Sequence, residues 1–287
     1  MKTSTRTVAV AGRSVEILQA GNGPPLLYLH GIYDIHTLQA APFPFHEALA
    51  ESFTVIAPAH PGCGLSTGIA DITDIEDLAF HYFDLLDALE SRAATVVGFC
   101  IGGWIATEMA VRNPERIGRM VLIGAAGLQQ DDALVGDVFM YSQHRDGGIM
   151  RELREMLFAD RDGEIAHSIV PDGRVAIPDE VRRYKSLTLA GRVGWEPPYL
   201  HDRKLATRLH RVTAPSLLVW GEQDRLIPAA NAHAYTKALP HASLQIVKGA
   251  GHSVHIEKPD ACLKHIVPFL QTGKLPDLAR ARAATKR

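Results

Sequence analysis

Thr95-Val96-Val97-Gly98-Phe99-Cys100-Ile101-Gly102-Gly103 is the stretch on which the reading of this chain turns. Thr95 to Val97 is an apolar, β-branched run, and Ile101 to Arg112 has the composition of a helix. A strand therefore passes into a helix through a Gly-x-Cys-x-Gly bend with Cys100 at its apex. Gly98 and Gly102 suit that bend because a larger side chain on either would collide across it. The apex residue is forced into a strained conformation that lifts its side chain clear of the sheet. The helix beginning there turns its free N–H groups and positive dipole end toward the thiol, which favours negative charge at that point.

Outward from this bend, short β-type runs alternate with helical patterns, the signature of a mostly parallel sheet with helices on both faces. Thr7–Val10 and Val15–Leu18 read as an antiparallel pair turning at Ala11-Gly12-Arg13, and Pro25–Leu29 as a buried strand ending at His30-Gly31. Phe53–Ala57 is the next strand, followed by the loop His60-Pro61-Gly62-Cys63-Gly64-Leu65-Ser66. Asp74–Glu90 is helical: Ile75, Leu78, Phe83, Leu85, Leu86 and Leu89 recur at near-helical spacing, with Thr73 or Asp74 available as cap. Arg119–Ile123, Ser216–Trp220 and Ser243–Val247 complete eight strands, with helices over Ala229–Leu239 and up to about Leu270.

Residues 127–211 break this alternation. Strand-like runs vanish and charged helical segments carry Phe139, Tyr141, Met150, Met156 and Trp195. Too long for a loop in a compact domain, the segment is expected to be a helical cap inserted between core parts 1–126 and 212–271, with a basic tail at 272–287. Within the cap, Tyr141 and Trp195 are candidates to line a substrate pocket.

A chain of 287 residues, 46% hydrophobic and with a net charge of −2, is long enough for one large core and gives no electrostatic reason to expect nucleic acid or an anionic membrane as partner. Met1–Val10 has no apolar segment of signal-peptide length, and no run reaches transmembrane length. Cys63, Cys100 and Cys262 are odd in number and far apart, unlike metal, redox or disulfide frameworks. A reduced, cytoplasmic protein is the expectation, with Cys63 and Cys262 as packing residues.

Two further segments sit where a thiol nucleophile needs them. Trp220-Gly221-Glu222-Gln223-Asp224 ends a buried strand, so Asp224 projects from the carboxyl edge of the sheet. Gly249-Ala250-Gly251-His252 follows the last strand and brings His252 to the same edge. Glu222 is the nearest rival to Asp224, and His255 to His252; Glu222 is expected to point elsewhere and His255 to lie on a helix face or toward the cap. His60 is expected to bond within its loop. His30 is expected to brace the loop after its strand, bordering the pocket as a substrate-contact candidate.

The order nucleophile, acid, histidine resembles the α/β-hydrolase superfamily over nearly the whole chain. His30-Gly31 resembles that family's oxyanion loop, and His60–Ser66 its Pro-Gly-x-Gly-x-Ser loop. Gly221–Pro228 and Gly249–His252 resemble its acid and histidine segments. By layout the chain is similar to members with a helical cap, such as carbon–carbon bond hydrolases, esterases and lactonases. Cys100 replaces their usual serine and resembles the nucleophile of dienelactone hydrolases and of polyhydroxyalkanoate synthases. The resemblance implies an eight-stranded α/β-hydrolase fold. It also implies a Cys100–His252–Asp224 triad in which the backbone N–H groups of Ile32 and Ile101 hold the oxyanion.

Such a site acts on a small-molecule acyl substrate, an ester, lactone or thioester, through an acyl-cysteine and needs no metal or organic cofactor. Two alternatives stay open: an acyltransferase or cyclase, in which an amine, alcohol or thiol resolves the acyl enzyme, and a ligand receptor with little turnover. Oligomeric state is not legible in the sequence.

Overall fold

The computed structural model describes residues 3–130, 135–143, 147–173, 175–195 and 199–276, with backbone alone at 141–143 and 147–149. Eight strands form one sheet: β1 (Thr3–Val10), β2 (Arg13–Ala20), β3 (Pro25–Leu29), β4 (Thr54–Pro58), β5 (Ala94–Phe99), β6 (Ile117–Ile123), β7 (Ser216–Gly221) and β8 (Ala242–Val247). Their order is β1-β2-β4-β3-β5-β6-β7-β8. β2 runs antiparallel to both β1 and β4, and every other pairing is parallel. The opening hairpin pairs Val10 with Arg13 across Ala11 and Gly12. Both residues have positive φ (45° and 78°), so the two-residue turn twists with its strands.

Strands β5, β6 and β7 are covered on both faces. Val96, Val97, Val121, Leu122, Leu217 and Leu218 are fully buried, which is why these strands read as continuous apolar runs without alternation. The helices are α1 (Pro44–Ala50), α2 (Ile75–Ala88), α3 (Ile101–Arg112), α4 (Val138–Gln143), α5 (Gly147–Leu157), α6 (Glu164–Ile169), α7 (Ile177–Gly194), α8 (Leu205–Arg208), α9 (Ala229–Ala238), α10 (Val254–Glu257) and α11 (Pro259–Thr272). α1 packs on α11, and α2 on α3. Asp74 caps α2, accepting from the N–H groups of Glu76 (2.8 Å) and Asp77 (3.0 Å). Between β6 and β7 the described residues hold α4 to α8 and no strand. Of the tail at 272–287, only residues up to 276 fall within the described part.

Strand order does the most to build the site. β3 lies between β4 and β5, so the chain leaves β3 to one side and returns on the other. At such a switch point the loops leaving adjacent strands diverge and open a crevice at the carboxyl edge. Leu29 pairs with Gly98, which sets the His30-Gly31 loop beside Cys100.

Candidate active site

Cys100 occupies the apex of the bend with φ 53° and ψ −117°. A non-glycine residue there costs about 1–3 kcal/mol and persists only when its surroundings over-determine it. They do. The Cys100 N–H donates to Ile123 O (3.0 Å), and its carbonyl accepts from the N–H groups of Gly103 (3.0 Å), Ala126 (3.1 Å) and Trp104 (3.2 Å). A Cβ on Gly98 would lie 2.5 Å from Gly102 O, and one on Gly102 would lie 2.0 Å from Leu29 O. Both glycines are therefore dictated by backbone crowding.

Asp224 and His252 meet at the same edge. Asp224 Oδ1 accepts the N–H groups of Leu226 (3.0 Å) and Ile227 (2.8 Å), leaving Oδ2 to accept from His252 Nδ1–H at 2.9 Å. Trp220 Nε1–H donates to Ile227 O (2.7 Å) and closes the loop carrying the carboxylate. The loops of Asp224 and His252 press together, since a Cβ on Gly221 would sit 2.0 Å from Gly251 O. His252 Nε2 has no hydrogen-bond partner among the described residues. Burial pushes the His252 pKa down, but the charges of Asp224 and Cys100 overcome it and raise the value to about 10. His252 is thus oriented by a carboxylate on one nitrogen, open on the other, and close enough to Cys100 to feel its charge.

Gly31 fits the crevice only because it lacks a side chain: a Cβ there would lie 2.5 Å from Phe99 Cδ1 and 3.0 Å from Cys100 Cβ. The backbone N–H groups of Ile32 and Ile101 have no partner among the described residues. Ile101 is the first residue of α3, where free N–H groups and the positive end of the helix dipole coincide. Ile32 O accepts from Ser186 Oγ–H of α7 at 3.0 Å, which ties the inserted helices to this loop.

The remaining candidates lie elsewhere. His30 is 1% exposed, with Nδ1–H donating to Gly31 O (2.9 Å) and Nε2 accepting from His60 N–H (3.1 Å). Both ring nitrogens are committed to backbone, so His30 has none left for a substrate and acts as a brace. His60 stacks on it with ring centroids 3.7 Å apart, donates from Nε2–H to His30 O (2.9 Å) and accepts from the Tyr82 hydroxyl. Glu222 is exposed and accepts from Gly249 N–H (3.2 Å), away from His252. Trp195 follows α7, 40% exposed, edge-on to Phe139 and Tyr199. Tyr141 lies in α4 with its side chain outside the described residues. Cys63 and Cys262 are buried, and burial pushes each thiol up to about 12.

His255 lies on a helix, as expected, but on its buried side. On α10 it is fully buried, 3.5 Å from Asp34 Oδ1 and against the Phe99 ring at 4.3 Å. Sequence reading also passed over Gly124. Its φ of 49° ends β6 under the histidine, where a Cβ would lie 3.1 Å from His252 Cε1 and 3.4 Å from Asp224 Oδ2. A glycine directly after a clear strand was the available signal. Among the described residues no group of three or more His, Cys, Asp or Glu side chains could hold a metal, and no helix is long and apolar enough to cross a membrane.

Known proteins similar to this chain are numerous. Residues 24–259 match the family model described as alpha/beta hydrolase fold. A 2-hydroxymuconate semialdehyde hydrolase from Pseudomonas sp. strain CF600 is 28% identical over 261 residues, 88% of each chain. The dihydrolipoyllysine-residue acetyltransferase component of the acetoin cleaving system of Pseudomonas putida is 28% identical over 271 residues, covering 91% of this chain and 68% of that one. Among solved structures, the 2-hydroxy-6-oxo-6-phenylhexa-2,4-dienoate hydrolase of a Rhodococcus species superposes with a TM-score of 0.76 at 23% identity, covering 94% of this chain and 99% of that chain. With the strand order, the bend after β5 and a family match over most of its length, the chain belongs to the α/β hydrolase fold family.

Proposed function

We propose that this chain hydrolyses an ester, lactone or thioester through a covalent acyl-cysteine on Cys100. The observation that carries this reading is the Asp224–His252 pair at 2.9 Å, with the second imidazole nitrogen open beside a cysteine held at φ 53°. With the Cys100 thiol proton already held on His252 Nε2, Sγ bonds to the acyl carbon. Asp224 holds the tautomer and stabilises the imidazolium. The carbonyl oxygen becomes an oxyanion held by the N–H groups of Ile32 and Ile101. As the tetrahedral intermediate collapses, the proton on His252 passes to the leaving alkoxide or thiolate. Water, deprotonated by His252, then attacks the thioester, and Cys100 Sγ leaves with its proton held on His252 Nε2.

The test is steady-state hydrolysis of short-chain p-nitrophenyl esters, acyl thioesters and small lactones, with 2-hydroxymuconate semialdehyde included because a relative's name points to it. Activity on an acyl substrate that disappears in Cys100→Ala supports the reading; activity surviving that change overturns it. A second reading, acyl transfer, is favoured by the acetyltransferase component among the relatives. Added thiol, amine or alcohol would then divert the acyl group from water in proportion to its concentration.

A further inference from the structure

A second buried carboxylate–imidazole pair lies one side chain away from the first. Asp34 is fully buried at the end of the His30-Gly31 loop. Its Oδ2 accepts from Tyr28 O–H (2.7 Å) and from Gly31 N–H (3.3 Å). Its Oδ1 faces His255 Nε2 at 3.5 Å and His46 Nε2 at 3.8 Å. His46 Nδ1 accepts from Phe43 N–H (3.2 Å), so the neutral ring carries its proton on Nε2, toward the carboxylate. The loop is wound tightly around this point: Asp34 N–H donates to Thr37 Oγ1 (2.7 Å), and the N–H groups of Thr37 and Leu38 donate to Asp34 O. Burial pushes the Asp34 pKa up, yet His255, His46 and Tyr28 hold it well below the usual carboxylate range, so it stays ionised.

Two features connect this cluster to the reaction. Gly31 N–H, bound by Asp34, belongs to the residue before Ile32, while Ile32 O is bound by Ser186. Ile32 N–H is therefore fixed from both sides and itself left free. His255 follows His252 by three residues, and the Phe99 ring lies against both imidazoles, at 5.0 Å from His252 and 4.3 Å from His255. The cluster thus joins the Ile32 loop to the loop of the general base.

We infer that Asp34 and His255 are positioning residues that hold the Ile32 N–H where the acyl oxyanion forms. The inference rests on the Cys100 reading above but adds a role which that reading does not require. A misplaced donor loses most of its effect on an oxyanion, and one donor is typically worth about 10²–10³ in rate.

The experiment compares two reactions of Cys100 in the same protein. Acylation by p-nitrophenyl acetate passes through an oxyanion. Alkylation by iodoacetamide displaces iodide at a saturated carbon and forms none. In Asp34→Asn and His255→Gln, acylation is expected to fall about 10–100-fold while the alkylation rate of Cys100, followed by peptide mass, stays within about twofold. Tyr28→Phe removes one donor to Asp34 with little change of shape and is expected to slow acylation several-fold, so it decides the matter if the bolder variants do not fold. Equal losses in both reactions would mean a merely structural cluster, and unchanged rates would mean no role; either overturns the inference. Failure of the nucleophile assignment would show in the unaltered protein as the absence of an acyl adduct, and would take this inference with it. Failure of the positioning role shows only in the variants.

Discussion

His252 and His255 are three residues apart, each buried and each facing a buried aspartate, yet the two pairs are built for different work. His252 presents Nδ1–H to Asp224 at 2.9 Å and leaves Nε2 open beside Cys100. His255 turns the other way: Nε2 faces Asp34 at 3.5 Å, and Nδ1 has no partner among the described residues. Asp224 spends one oxygen on two loop N–H groups and reserves the other for its histidine. Asp34 divides its oxygens among Tyr28, Gly31, His46 and His255. Residue type and burial do not separate the pairs. A proton carrier needs a second ring nitrogen facing a reactive atom, and only His252 lies beside Cys100.

The sharpest way to break this contrast is to remove each histidine. His252→Ala is expected to lower kcat/KM by about 10⁶-fold, the scale seen when one member of a catalytic unit is lost; a loss no larger than that of His255→Gln would dissolve the distinction. Asp224→Asn should cost about 10⁴-fold through the wrong tautomer, against at most about 100-fold for Asp34→Asn. Stopped-flow acylation rates on both variants would rank them.

Gly124→Ala probes the packing under the Asp224–His252 pair and leaves the Asp34–His255 pair untouched. With a positive φ of 49° and a Cβ only 3.1 Å from the imidazole, it should lower kcat about tenfold or more, as small misplacements do. Gly118→Ala near the start of β6, where a Cβ would have its nearest neighbour 3.6 Å away, should leave kcat unchanged.

A gentler contrast is in pH. Burial lowers the pKa of His30 to about 3 and those of His46 and His81 to about 4, with His36 and His60 also lowered. The unfolded chain takes up protons on these rings first, so their contribution to stability is complete above about pH 6.5 and is lost as pH falls toward 4. His30, His46 and His81 should each cost on the order of 1–2 kcal/mol by pH 5. His252 has the opposite sign: its contribution is present below pH 6.5 and lost as pH rises through about 10. Melting temperature measured from pH 8 to pH 4.5 should drop steeply on the acid side, and a flat profile would contradict the neutral-histidine assignment. The smallest effect belongs to Cys63→Ala, which should leave acylation intact.

The centre of the sheet was largely legible because β5, β6 and β7 are buried on both faces and stand out as apolar runs. The bend at Cys100 and the loop bearing Asp224 were legible for the same reason, each following on such a strand, while the His252 loop was legible from its Gly249-Ala250-Gly251-His252 run just beyond β8. The stretch after His30-Gly31 was not. α1 is short, opens with Pro44 at its first position and shows too little periodicity to declare itself. Asp34, His46 and His255 come together only through strand order, so no local pattern announces their cluster. Gly124 depended on a backbone angle and Ser186 on how α7 packs, neither of which has a residue signature.

The most direct measurement is intact-protein mass spectrometry during turnover of a short-chain p-nitrophenyl ester or thioester, followed by peptide mapping. A transient mass increase equal to the acyl group, located on Cys100 and lost as water completes the cycle, is the expected result. Turnover with no adduct in the unaltered protein, or an adduct on Cys63 or any residue other than Cys100, would contradict the assignment of Cys100 as nucleophile.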